Sequence, residues 1–193
     1  MKGKRIVVDA GHGGEDLGAL GYLPNRNEKD LNLSIALALR DELKSLGAEV
    51  LMTRTLDNTV SLNERMDFLL RENPDLSVSV HHNSVNEKKD ANAATGSLGL
   101  YWSPAGRSLA RYVYRPVSEA LVLRDQGYRS QKLALCRNHR FPQALIETAY
   151  ICSPGDYELS LREDYVSTCA EAMKQGILDW YAMQARYLGG GAK

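Results

Sequence analysis

The 193-residue sequence predicts one α/β domain: an open, mostly parallel six-stranded sheet with helices on both faces. Two observations carry that reading. Short apolar or β-branched runs alternate along the chain with segments of helical periodicity, and no internal repeat or linker divides them. The length suits a single domain with a sizeable buried core. We read 1–188 as the folded unit and 189–193, "GGGAK", as a flexible tail.

The elements follow in order. "RIVVDA" (5–10) is a short buried strand that empties into a glycine-rich loop. Asn27 can then cap a helix, "EKDLNLSIALALRDELKSLG", whose Leu31, Ile35, Leu39 and Leu46 recur at helical spacing and which Gly47 ends. "AEVLMTR" (48–54) is the second strand. Ser61-x-x-Glu64 reads as a capping box, opening a helix that runs to about Asn73 before Pro74. "LSVSVHHN" (76–83) and "GSLGLYW" (96–102) are strands three and four. A helix is expected over 104–123, kinked or interrupted at Pro116. "KLALC" (132–136) and "QALIETAY" (143–150) complete the six strands, and 162–187 is a long closing helix.

Composition excludes several classes. Lys plus Arg and Asp plus Glu number 24 each, so net charge gives no basis for nucleic-acid or anionic-membrane binding. No apolar stretch is long enough to span a membrane. "MKGK" passes directly into the first strand without a signal peptide, so we expect either a cytoplasmic protein or a mature or excised domain. Cys136, Cys152 and Cys169 lack metal-binding or redox spacing and read as buried or half-buried thiols.

In a sheet of this kind, sites collect where strands end and loops leave for the helices. His12 lies just after strand one, and His81 and His82 close strand three. Glu147 stands near the end of the last strand inside the apolar run "ALIETAYI", and Glu28 occupies the first turn of helix one. Singly, each has an ordinary explanation: a histidine can be a hydrogen-bonded structural residue, and a glutamate in a first turn favours the macrodipole. Glu147 is harder to dismiss, because an unpaired buried carboxylate costs several kcal/mol and must face a metal, a charge or a cleft. Successive strand residues point to opposite faces, so at most one of His81 and His82 joins a shared site. Two histidines and one glutamate make a common ligand set for catalytic zinc, and a second glutamate can serve as proton acceptor.

The glycine loop does not read as a phosphate cradle. After Gly11-x-Gly13, Asp16 stands where a dinucleotide fingerprint needs its third glycine, and the helix starts too late. No GxxxxGK[ST] or GxSxG occurs either.

At these same residues the chain resembles a known family. "VVDAGHGGEDLGALG", "NEKDLNLSIALAL", "LMTRTLDNTVSLNERMDF", "SVSVHHNS" and "PQALIETAYICSPGD" resemble, in order, the motifs of the zinc-dependent N-acetylmuramoyl-L-alanine amidases of the type 3 family. The resemblance covers roughly 5–180. It implies one zinc ion held by His12, Glu28 and His81, with Glu147 as the catalytic glutamate. It also implies peptidoglycan as partner, hydrolysis of the amide between N-acetylmuramic acid and L-alanine, and a periplasmic or secreted autolysin of the cell envelope. His82 departs from the family's usual "HANS", and Cys152 and Ser153 stand where it usually has Ser and Asn. Arg54 and Arg65 sit in matching blocks, and we expect them to tie loops through charge-assisted hydrogen bonds. His139 has no family role; a solvent-facing loop position is expected, with lining of a substrate groove as the alternative.

Some members carry a long inhibitory helical insertion after the second histidine. Here only "NSVNEKKDANAATG" (83–96) separates that histidine from the next strand, so no activator protein is expected, and Glu87 is the one carboxylate there that could fold back onto a metal. Two rival readings stand beside the amidase: a zinc exopeptidase acting on peptides, and an inactive wall-binding module.

Overall fold

The computed structural model describes residues 1–24, 26–85 and 90–189, with side chains as far as 187. Glu87 and residues 190–193 of the glycine-rich tail therefore lie outside the described residues.

Strands β1 (Arg5–Ala10), β2 (Glu49–Met52), β3 (Leu76–Asn83), β4 (Ser97–Tyr101), β5 (Asp125–Ser130) and β6 (Gln143–Tyr150) form one sheet in the order β2-β1-β3-β6-β4-β5. Every neighbouring pair is parallel except β4 with β6. Helices α1 (Glu28–Ser45), α3 (Pro104–Ala120) and α5 (Tyr165–Gly189) cover one face, where Ile6, Val8, Val78, Val80 and Ile146 meet Ile35, Leu39, Val113 and Met173. Helix α2 (Leu62–Glu72) covers part of the other, packing Leu69 with Val7, Leu135 and Phe141. A short helix α4 (Pro154–Ser160), absent from the sequence reading, follows β6.

Local chemistry explains most boundaries. The Ser61 and Glu64 capping box forms as its spacing predicts, satisfying two free N–H groups at the start of α2. Asn27 precedes α1 with extended backbone but makes no side-chain cap. Two expectations are corrected. Strand five is "DQGYRS", not 132–136; the latter segment contains only a single 3₁₀ turn, Ala134–Cys136. The apolar run 132–136 is apolar because Leu133, Leu135 and Cys136 cover the sheet face beside Leu98, Leu100 and Phe141. The true β5 is an edge strand with one neighbour, which is why it can be polar. Of the two effects expected of Pro116, interruption does not occur: α3 is continuous from Pro104 to Ala120. The Tyr112 carbonyl, deprived of its helical donor by the proline, lies against Gly176 of α5.

The carboxyl end of β1 is fixed from below. Asp9, buried on the α2 side, accepts from Arg65 Nη1 (2.6 Å), from the Thr53 hydroxyl (2.6 Å) and from the Ser79 hydroxyl. Burial alone would raise its pKa, but the Arg65 charge and the two hydroxyls hold it below the usual carboxylate range. Arg65 also donates to the carbonyls of Ala10 (2.7 Å) and His12 (2.6 Å). Arg54 donates to the carbonyls of Ala10 (2.9 Å), Gly11 (2.9 Å) and Lys29 (2.7 Å), joining the loop after β1 to the first turn of α1. The loop-tying role expected of both arginines is what these bonds perform.

Removing Arg65 should therefore be costly. Arg65→Met leaves Asp9 buried without its counter-charge, and we expect a loss of about 3–5 kcal/mol of stability in urea unfolding. The Asp9→Asn/Arg65→Met double variant should recover part of that loss. A change of under about 1 kcal/mol in the single variant would show that the pair does not hold the strand end.

Candidate metal centre

The loop after β1 turns sharply at His12, whose φ of 60° lies in the left-handed region that side chains other than glycine rarely adopt. Two bonds hold it there: the Arg65 guanidinium on its carbonyl, and Asp16 Oδ2 at 2.9 Å from its Nδ1. Asp16 reaches this position because Gly13 and Asp16 exchange both backbone hydrogen bonds. With Nδ1 donating to Asp16, Nε2 is left facing Glu28 Oε1 at 3.2 Å.

Glu28 is buried in the first turn of α1. Its Oε1 lies 2.9 Å from His81 Nδ1, 3.1 Å from Asn32 Nδ2 and 3.0 Å from the His82 backbone nitrogen, while Oε2 accepts from the Ala19 amide at 2.8 Å. The glycines that motivate the loop now have a physical reason. A Cβ on Gly11 would sit 2.3 Å from the His81 ring, and one on Gly18, at φ 68°, would meet Glu28 Oε2 and His12 Cδ2 at 2.7 Å. These two positions keep the space between the imidazoles and the carboxylate free of side chains.

Glu147 faces His81 directly across the β3–β6 ladder. Beyond that pair the register slips, a local irregularity of the kind that re-aims side chains beside sites. Its Oε2 is shielded from solvent and has no hydrogen-bond partner among the described residues. Burial pushes this carboxyl up to about 7, partly offset by the nearby His81 charge. Glu28 moves the opposite way: burial would raise it, but hydrogen bonds from His12 and His81 hold it far below the usual range. Burial opposes charging of His12, yet Glu28 and Asp16 outweigh it and lift the ring to about 9.

His12, Glu28 and His81 thus offer three ligand atoms that all lie within 4.8 Å of one another. A tetrahedral ion with bonds of about 2.1 Å holds its donors about 3.4 Å apart, close to the 3.2 and 2.9 Å that separate Glu28 Oε1 from His12 Nε2 and His81 Nδ1. Two imidazoles and one carboxylate, with an unpartnered second carboxylate beside them, fit a zinc ion.

The other candidates fall elsewhere. His82 points to the opposite face of the sheet, buried between Asn32 Oδ1 (2.8 Å) and the Tyr165 hydroxyl (2.9 Å), and burial pushes it down to about 4. Only one of the two adjacent histidines joins the cluster. His139 is exposed, beside Arg137 and Leu70 in a shallow groove near the amino end of β6. The three cysteines are free, with Cys136 and Cys169 buried. Sequence reasoning missed Asp16 and Asn32. Asn32 could have been found, because it stands one helical turn after Glu28 and therefore on the same face; Asp16 depends on the turn at Gly13 and carried no such signal.

Comparisons with known proteins bear on the family and the fold. The sequence pattern of the family described as N-acetylmuramoyl-L-alanine amidase matches residues 6–179. The N-acetylmuramoyl-L-alanine amidase LytC of Bacillus subtilis (strain 168) is 28% identical over 179 residues, which are 93% of this chain and 36% of LytC. The solved N-acetylmuramoyl-L-alanine amidase from Clostridium difficile 630 is 30% identical, with a TM-score of 0.87, covering 94% of this chain and 98% of that one. The CwlD amidase from Clostridioides difficile, solved in complex with the GerS lipoprotein, is 25% identical with a TM-score of 0.86, covering 93% of this chain and 99% of that one. By sequence pattern and by fold, the chain belongs to the N-acetylmuramoyl-L-alanine amidase family.

Proposed function

We propose that this chain hydrolyses the amide between N-acetylmuramic acid and L-alanine of peptidoglycan stem peptides, as a zinc-dependent enzyme of the cell envelope. One observation carries the mechanism: two histidines and a buried carboxylate converge beside a second carboxylate that has no partner of its own among the described residues. Family membership supplies the bond that is cut.

One zinc ion per chain would be held by His12, Glu28 and His81. When bound, it supplies Lewis-acid polarisation of the amide carbonyl and makes water more acidic. The remaining work belongs to the chain. Asp16 keeps the His12 proton on Nδ1, so that Nε2 presents a lone pair. Glu28, fixed at both oxygens, stays ionised and keeps the two imidazoles in place. Glu147 accepts a proton from the attacking water and passes it to the leaving L-alanine nitrogen, a role suited to a carboxyl lifted toward neutral pH. The stem peptide and glycan would enter at the carboxyl edge of β1, β3 and β6, where these groups meet.

Three outcomes test the reading. Alanine at His12 or His81 should abolish both bound zinc, measured by elemental analysis, and peptidoglycan cleavage; stoichiometric zinc with normal turnover in either variant would remove that residue from the site. Glu147→Gln should retain zinc and fold while losing about 10² or more in rate. Loss of zinc in that variant would make Glu147 a ligand instead, and near-normal rate would take it out of the mechanism.

The third outcome concerns activation. Between β3 and β4 the described residues contain only one 3₁₀ turn, Ala91–Ala93, and the interval is too short for a packed helix with connections at both ends. We therefore expect the chain alone to release intact stem peptides from purified peptidoglycan, identified by mass spectrometry. Cleavage that begins only after a partner protein is added would overturn this expectation.

A further inference from the structure

We propose that His82 is a positioning residue for the metal carboxylate, acting through Asn32 as the middle of a directional hydrogen-bond chain that runs from Tyr165 to Glu28. The inference rests on the reading of Glu28 as a zinc ligand. It extends that reading to a buried histidine on the other side of the sheet from the cluster.

The direction of each bond follows from elementary chemistry. Asn32 Nδ2 lies 3.1 Å from Glu28 Oε1 and 3.3 Å from the Gly11 carbonyl. Both neighbours are pure acceptors, so the amide must present its NH₂ group to them and its oxygen to the other side. Asn32 Oδ1 then faces His82 Nδ1 at 2.8 Å and can only accept, so the proton of the neutral ring sits on Nδ1. His82 Nε2 is left with a lone pair, and the Tyr165 hydroxyl at 2.9 Å must donate to it. Tyr165, His82, Asn32 and Glu28 thus form a chain in which each donor points toward the carboxylate. Such chains strengthen cooperatively when shielded from water.

Burial makes the chain exclusive. Asn32, His82 and Tyr165 are 0%, 3% and 1% exposed, so water does not compete for their polar atoms. Strand alternation puts His82 on the face covered by α1 and α5, on the other side of the sheet from His81. The same residue touches Glu28 a second time through its backbone N–H, 3.0 Å from Oε1. The Glu28 oxygen that faces both imidazoles is therefore set by residue 82 through main chain and side chain together. Without the imidazole, the Asn32 amide would keep its NH₂ group toward Glu28 and Gly11 but lose the donor that holds its oxygen, and with it the restraint on its position.

The test measures zinc affinity by competition with a chromophoric chelator, the visible spectrum of the cobalt-substituted protein, and unfolding of the metal-free chain. His82→Ala should weaken zinc by about 10-fold or more, the range seen when outer partners of ligands are removed. It should also alter the cobalt bands, which report ligand geometry. Tyr165→Phe keeps the ring and removes only the outermost donor, so it should move both readouts in the same direction by less; it also serves if His82→Ala fails to fold. In the metal-free parent, the nitrogen-15 spectrum of His82 should show the proton on Nδ1. Unchanged zinc affinity and cobalt bands in both variants, with only the unfolding midpoint lowered, would make His82 a packing residue and overturn the inference. A proton found on Nε2 would overturn it as well. A parent chain that takes up no zinc would instead remove the ligand assignment beneath it.

Discussion

Four carbonyl oxygens, those of Ala10, Gly11, His12 and Lys29, point into two buried guanidinium groups, and the arrangement at the carboxyl end of the sheet depends on that convergence. A loop that leaves a strand through three glycines in four residues has little intrinsic reason to hold one shape. Arg54 and Arg65 supply it by satisfying carbonyls that have left the strand ladder. Their positive charge is compensated by Asp9, which in turn binds two hydroxyls, one from β3 and one from the residue just after β2. A buried ion pair is a weak source of stability, because desolvation offsets most of its attraction. Here its use is geometric. It sets the backbone at His12 in a conformation the residue would not choose, and so fixes where the imidazole points.

Two carboxylates within one pocket then acquire opposite characters from their surroundings alone. Glu28 is ringed by groups that favour its charge: two imidazole rings, an amide side chain and two backbone N–H groups. These favour the ionised form so strongly that burial does not neutralise it. Glu147 stands across a ladder from His81 yet accepts no hydrogen bond at Oε2 from any described residue, so burial prevails and its affinity for a proton rises. One environment suits an anchor for a cation and the other suits a group that must take up and release a proton. Environments that push a pair of carboxyl groups apart in this way assign the roles more securely than residue type does.

Much of this was legible in the sequence, and the limits of legibility are physical. Period and capping chemistry located β1, β3, β6, α1 and the capping box of α2, because those signals are local. The strand ends then placed His12, His81 and Glu147 at one edge of a parallel sheet, and the opposition of His81 to His82 followed from alternation. The edge strand β5 was misplaced because burial writes apolar patterns, and an edge strand with one neighbour has little to bury. The apolar run beside it served a covering segment instead. Asp16 and the Asn32–His82 contact were not readable, since each joins residues whose proximity exists only after a loop has closed or a helix has docked.

The topology adds a last constraint. β3 and β4 follow each other in sequence but are separated in the sheet by β6, which enters late and lies antiparallel to β4. His81 therefore meets Glu147 only when a strand from the last third of the chain takes its place between β3 and β4. The residues that hold His82 and Glu28 in register belong likewise to α1 and α5, at opposite ends of the sequence. Nearly every group at the site has a partner far away along the chain, so the site has no local fragment that could form it. Nonlocal pairing of this kind delays a contact until loop closure has been achieved, and it makes the chemical centre and the sheet one cooperative unit. A ligand bound by His12, Glu28 and His81 would consequently stabilise the folded state rather than one loop, because it binds only the state in which the ends of β1 and β3 have met the first turn of α1.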